Sequence, residues 1–216
     1  MKYRVCYHKM KMREFTRIFS DKPWLIPFAF VIKTLRLPCI KGEMRYSVKN
    51  YDASEMDFSV TGLAKLKSNE AEVIANGYRR VGLDFERSAD GSFLNMASLL
   101  YSPEEMTKCL IVITEFANGW NALEVFGFVT RVSNGGFVVS SNARGRMPSP
   151  DFDDYKNFKH ANIGQLRLAH ASRIQNLACA WVDQTDEQIK LQLQERVLRI
   201  FTHFVDRGIY VPLENA

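Results

Sequence analysis

Three features of the chain predict an α+β domain. Apolar residues recur at helical spacing near both ends, short runs rich in β-branched and aromatic residues lie between them, and the links joining those runs are too short for crossover helices. The expected architecture is an antiparallel strand meander of about five strands, with a basic N-terminal helical hairpin before it and a C-terminal helical pair after it. All of this is expected in one domain over residues 1–216, divided into a basic segment at 1–41, a helix and meander at 64–142, and helices at 162–208. A globular chain of this length buries about 70% of the surface its unfolded form exposes. With 46% hydrophobic residues it can build that core without covalent staples.

In the N-terminal segment, Met12, Phe15, Ile18 and Phe19 are three and four apart with cations between them, which predicts a helix over 11–20, ended by Asp21-Lys22-Pro23. A second helix is expected over 28–37, entered through Pro27 because proline suits a first turn, and closed by Pro38. Charge is concentrated here. Residues 1–45 hold eleven Lys and Arg against three acids, a net of +8, whereas the other 171 residues hold eighteen against twenty-one, a net of −3. The most apolar run, 24–32, is nine residues long with Pro27 inside it and Lys33 after it. That is far short of the roughly 20 residues a transmembrane helix needs. The long polar lead before this run and the poor cleavage sequence Leu37-Pro38-Cys39 argue against a signal peptide, so the segment is expected in the mature protein.

Glu43 to Val48 suggests a short strand. Leu66, Val73 and Ile74 place a helix over 64–75, stopped at Asn76-Gly77. Strands are expected over 78–85, 93–101 and 108–116, separated by Ser88-Ala89-Asp90-Gly91 and by Ser102-Pro103-Glu104-Glu105. The firmest local feature is a β-hairpin over 120–142, in which Val, Phe and Thr runs flank Asn134-Gly135-Gly136. The Asn-Gly pair predicts a type I′ turn, which needs two positive φ angles. Residues 144–159 contain two prolines and mixed charge and are expected as a loop.

The last third is expected to be helical. Leu168, Ala171, Ile174, Ala178 and Trp181 form one stripe over 163–182, and Thr185-Asp186-Glu187-Gln188 is a capping box. The helix it opens carries Ile189, Leu193, Val197, Ile200, Phe201 and Phe204 inward and ends at Gly208. The succession of A-N-G-Y-R-R-V-G, S-P-E-E and V-S-N-G-G-F-V-V-S-S-N, with a histidine-bearing helix after it, resembles uncharacterised bacterial α+β proteins over about residues 64–175. The resemblance implies no activity and no site residue.

The four cysteines, Cys6, Cys39, Cys109 and Cys179, are scattered without a C-x-x-C pair, which points to reduced thiols in the cytoplasm, with Cys109 and Cys179 buried in apolar runs. No cofactor or metal is expected. Asp151, Asp153 and Asp154 lack the glycine and the distant glutamate of a calcium loop, and Asp84 and Glu86 lack the following lysine of a metal nuclease strand. Glu104, Glu105 and Glu115 could pair as acids, yet nothing in their spacing requires it. Ser140, Ser141, Asn142, Arg144 and Arg146 are the candidate anion site, since hydroxyls, an amide and two guanidinium groups can hold a phosphate or carboxylate. They lack the spacing of a phosphate loop.

His160, His170 and Ser172 suggest acyl-transfer chemistry, but no G-x-S-x-G elbow is present, and His170 and Ser172 lie about 200° apart on a helix. A helix-surface or capping role suits the histidines better. The feature with most weight is the basic start. Lys9, Lys11, Arg13, Arg17 and Trp24 are the candidate contact surface of a non-enzymatic binding module, directed at a protein partner or an anionic membrane surface at the inner face of a membrane. A second copy of the chain is a further candidate. Nucleic acid fits less well, because the aromatics share the apolar face instead of standing among the cations. The alternatives are a small hydrolase or nuclease-like enzyme and a peripheral membrane protein.

Overall fold

In a computed structural model, the structure describes residues 2–12, 14, 24, 26–35, 44–45, 51–88, 91–117, 122–143, 150–180 and 184–212. In chain order the strands are β1 (Lys2–Val5), β2 (Met44–Arg45), β3 (Arg79–Arg87), β4 (Phe93–Ser102), β5 (Thr107–Phe116), β6 (Leu123–Arg131), β7 (Phe137–Ser141), β8 (Asp153–Asn157) and β9 (Tyr210–Pro212). The helices are α1 (Ile26–Thr34), α2 (Val60–Ile74), α3 (Ile163–Ile174) and α4 (Asp186–Asp206). Together they make an α+β fold whose residues pack into two compact units. One comprises residues 1–48, 144–150 and 193–216, and the other 49–143 and 151–192.

The second, larger unit is built on a six-stranded sheet in the order β3-β4-β5-β6-β7-β8. Its first five strands run antiparallel, each beside the next in sequence, as short turns require. Leu100, Cys109 and Phe128 lie in register on one face, and that face closes on α2 through Leu66 and Val73 and on α3 through Ile163 and Leu166. Ser59 caps α2 by accepting from the Gly62 amide at 2.9 Å. Asn162 and Gln165 form a reciprocal capping box at the start of α3. Each cap satisfies backbone donors that the first helical turn leaves free.

A salt-bridged cluster ties α2 to β3. Glu70 is buried, and its carboxylate takes two donors from Arg80, whose Nη1 also reaches Glu55 at 2.8 Å. Burial costs a carboxylate less when a guanidinium fork meets it.

The structure departs from the sequence reading at particular places. Residues 153–157, inside the expected loop, form β8, which lies parallel to β7. Asp-Asp-Tyr-Lys-Asn has little β propensity, and it pairs because a charged edge strand needs only one neighbour. The sheet therefore has six strands where about five were expected. The hairpin of β6 and β7 is present, but its turn is not type I′: outside glycine, only Tyr51 and Met106 have positive φ among the described residues. Val132 accepts from Gly135 at 2.9 Å, Gly135 is left-handed at φ 79°, and the Val132 amide donates to Gly136 at 3.0 Å. This is a type I turn closed by a glycine bulge.

Helix α3 ends at Ile174 instead of running to 182, because the chain beyond it is drawn into sheet hydrogen bonding. The Ser133 amide donates to the Ala178 carbonyl at 2.8 Å, and Cys179 bridges to Val132. Cys179 is half-exposed, not buried as expected. The inward stripe of α3 is Ile163, Leu166, His170 and Ile174, while Leu168 faces out.

The smaller unit pairs β2-β1-β9 in an antiparallel sheet, of which only a strand near β2 was anticipated. Val5, Met10, Phe201, Phe204, Ile209 and Tyr210 form its core. The expected capping box of α4 is present, with the Thr185 amide donating to Gln188 at 3.0 Å and the Gln188 amide to Thr185 at 3.3 Å. At its far end Gly208, at φ 64°, lets the Ile209 amide reach the Phe204 carbonyl at 2.9 Å, a Schellman closure that aims Ile209 and Tyr210 back at Phe204. Glu14 takes both Arg207 Nη groups, at 2.7 and 2.8 Å. Burial raises its carboxyl, and the Arg207 fork and the Lys11 amide outweigh this and hold it below the usual carboxylate range.

Candidate functional site

Sequence reasoning raised three kinds of site: histidine chemistry on the C-terminal helix, an anion loop after β7, and the basic N-terminal surface. His170 is fully buried, not a surface or capping residue, and its ring stands between Thr130 and Ser140. The direction of the hydrogen bonds follows from one fixed acceptor, the Glu105 carbonyl, to which Thr107 Oγ1 donates its only proton. Thr107 must then accept from Thr130, Thr130 from His170 Nε2–H, and Nδ1 of the neutral ring from the Ser140 hydroxyl at 3.0 Å, while Ser140 Oγ also accepts from Arg173 at 2.8 Å. His170 Nε2 then carries the proton and donates to Thr130 Oγ1 at 2.9 Å. Thr130 donates onward to Thr107 at 2.6 Å, and Thr107 to the Glu105 carbonyl at 2.8 Å.

Every proton in this row has an acceptor, and Thr107, Thr130 and Ser140 are as buried as the histidine. Burial, reinforced by the Arg173 charge, pushes His170 down to about 3, so the imidazole is neutral near pH 7. The row braces α3 against the sheet and leaves no group to accept a substrate proton. His160 is exposed just before the α3 cap, and Ser172 lies on a different side of the helix from His170.

In the anion loop, Ser140 and Ser141 are buried at the end of β7. Ser141 Oγ donates to the Phe126 carbonyl at 2.7 Å, and the Asn142 side-chain oxygen Oδ1 accepts from the Phe126 amide, also at 2.7 Å. Their polar atoms thus terminate the β6–β7 ladder. Arg144 and Arg146 lie outside the described residues. Asp153 is buried, while Asp154 is paired with Arg173 at 2.9 Å and Asp151 is exposed. Among the described residues, no group of three or more His, Cys, Asp or Glu side chains gathers as a metal ion would need. Asp84 and Glu86 do share one face of β3, and Glu86 accepts from Asn95 at 3.4 Å.

Sequence reasoning missed an open cleft of about 520 Å³ between the β4–β5 turn and the end of α3, lined among others by Glu104, Glu105, Met106, Ser172, Gln175 and Cys179. Its best-placed carboxylate is already engaged, since Glu105 accepts from the Tyr78 hydroxyl and from Arg167. Burial and the Glu105 carboxylate hold the Tyr78 hydroxyl well above its ordinary range. Burial also raises the Cys179 thiol, which disfavours a thiolate nucleophile there.

The N-terminal surface differs in kind. Seven residues, 26–32, are apolar, and a helix apolar on every side is ordinarily buried. Yet in α1 and the residue after it Pro27, Phe30, Val31, Thr34 and Leu35 all face outward, at the three-and-four spacing of one helical face, with Phe30 58%, Val31 45% and Leu35 64% exposed. Trp24, just before the helix, is 66% exposed. Ile26 and Lys33, four residues before and three after Phe30, are half-buried at one edge of that face. The Lys33 ammonium, which closes the apolar run, is turned onto the carbonyls of His8 and Met10, which anchors α1 on the 3-10 turn Tyr7–Lys9. Lys9 and Lys11 flank those carbonyls and are exposed. Arg13 and Arg17, together with the first expected helix apart from Lys11, Met12 and Glu14, lie outside the described residues.

Among the described residues no helix is long and apolar enough to cross a membrane. No known protein family, curated protein or solved structure matches this chain.

Proposed function

We propose that this chain is a non-enzymatic interaction module whose N-terminal unit makes the contact, through the outer face of α1 set beside exposed lysines. The observation that carries the reading is the row Phe30, Val31 and Leu35, with Trp24 before it, standing in solvent on a helix whose composition belongs in an interior. Large apolar side chains at one helical spacing cost free energy in water unless something covers them for part of the protein's working life. The larger unit supports the same reading by contrast, since His170, Ser140, Thr130 and Thr107 are committed to one another in its interior.

The test is a photo-reactive benzophenone side chain placed at Phe30 in the full chain, compared in producing cells with the same group at the exposed Glu187. Adducts concentrated at position 30 are the expected outcome. Adducts equally frequent at both positions, or none at position 30, would remove the proposed contact surface.

A further inference from the structure

Resting on that reading of the α1 face, we infer that its occupant is the headgroup layer of a membrane containing anionic lipid, with α1 lying in the plane of the surface. Size sets the orientation. Nine residues of helix span roughly 13 to 14 Å, less than half of a hydrocarbon core about 30 Å thick, so α1 can rest in a bilayer surface but cannot traverse it.

Charge placement selects the lipid. The one cation of the helix, Lys33, is folded back onto the His8 and Met10 carbonyls, so the face presented by Pro27, Phe30, Val31 and Leu35 carries no charge into an apolar layer. The same contact holds the segment His8–Met10 against the helix while the Lys9 and Lys11 side chains stay in solvent. A ledge of ammonium groups beside an apolar helix face is the arrangement that anionic headgroups above acyl chains complement. Trp24 adds an indole at the start of the helix, a ring whose apolar body and N–H suit the boundary between the two layers. The net charge of +8 over residues 1–45 extends the attraction beyond Lys9 and Lys11. A nucleic-acid backbone would match the cations and leave Phe30, Val31 and Leu35 in water.

Flotation of the full chain with vesicles tests this directly, using phosphatidylcholine alone and phosphatidylcholine mixed with phosphatidylserine. The chain should rise with the mixed vesicles, not with the neutral ones, and the Trp24→Phe variant should lose the membrane-induced blue shift of tryptophan emission. K9Q/K11Q should bind the mixed vesicles roughly thirtyfold more weakly, the fold-change expected for two surface cations. Added salt should release the wild type, because attraction is screened beyond a Debye length of about 10 Å at 0.1 M. F30S should fail to float. K9Q/K11Q alters only exposed side chains, so it keeps the test decisive should F30S misfold.

Absence of flotation on the mixed vesicles, equal flotation on both, or indifference to K9Q/K11Q would overturn the inference. Crosslinks from position 30 to a protein or to a second copy, without flotation, would retire the lipid and leave the contact surface standing. Loss of both would remove both.

Discussion

Two phenylalanines measure the difference between the two compact units. Phe128, in the large sheet, is completely buried among residues of β5, α2 and α3, with Tyr78 and His170 rings against it. Phe30, in the N-terminal unit, stands mostly in water. The larger unit uses its apolar and polar groups internally: one sheet face is covered by helices, and Thr107, Thr130, His170 and Ser140 form a buried row in which each donor has an acceptor. The smaller unit closes a core around Phe204 and Tyr210, and still presents one helix face on which Phe30, Val31 and Leu35 are exposed. Polar residues that cluster in sequence are therefore not evidence of a site by themselves, because a buried polar row such as that of His170 can be structural.

The sharpest break of this comparison is Phe128→Ala, which should cost about 4 kcal/mol in urea unfolding, since a large ring leaves a cavity in a packed core. A cost below about 1 kcal/mol would mean the core is far looser than its burial implies.

Next is His170→Leu, expected to cost about 2 kcal/mol at pH 7 by leaving the Ser140 hydroxyl without an acceptor and Thr130 without a donor. This variant also carries a pH signature. The folded value near 3 lies below the unfolded value of about 6.5, so the unfolded chain takes up a proton first and wild-type stability is lost as pH falls through that window. The loss runs at up to about 1.4 kcal/mol per pH unit. The leucine variant lacks it, so the gap between the two proteins should close by about pH 5. A gap that is constant from neutral to acidic pH would show that His170 is not held neutral.

Asn162→Ala should cost about 1 kcal/mol by removing the cap of α3, measured in the same way. Smallest of all, Phe30→Ser should change stability by less than about 0.5 kcal/mol, as exposed positions do, while abolishing vesicle binding. If it destabilises as a core residue would, the face is covered and the comparison collapses.

Parts of this were legible in the residues. The capping box at Thr185, the stop at Gly208, the hairpin around Asn134 and the run of antiparallel strands depend on side chains within a few positions of one another. The basic and apolar character of the N-terminal segment is likewise a property of composition. The fate of His170 was not legible, because its partners Ser140 and Thr130 lie 30 and 40 residues away. Nor was β8, whose polar residues pair only because β7 presents an edge to them.

By itself the sequence determined the α+β class, the helix caps and turn sites, and where the positive charge is concentrated, because these follow from spacing, backbone preference and counting. Only the tertiary structure decided that His170 is a neutral brace, that Lys33 points inward, and that the outer face of α1 is left in water. Burial and hydrogen-bond partners are settled by which distant segments meet, and local periodicity carries no record of that meeting.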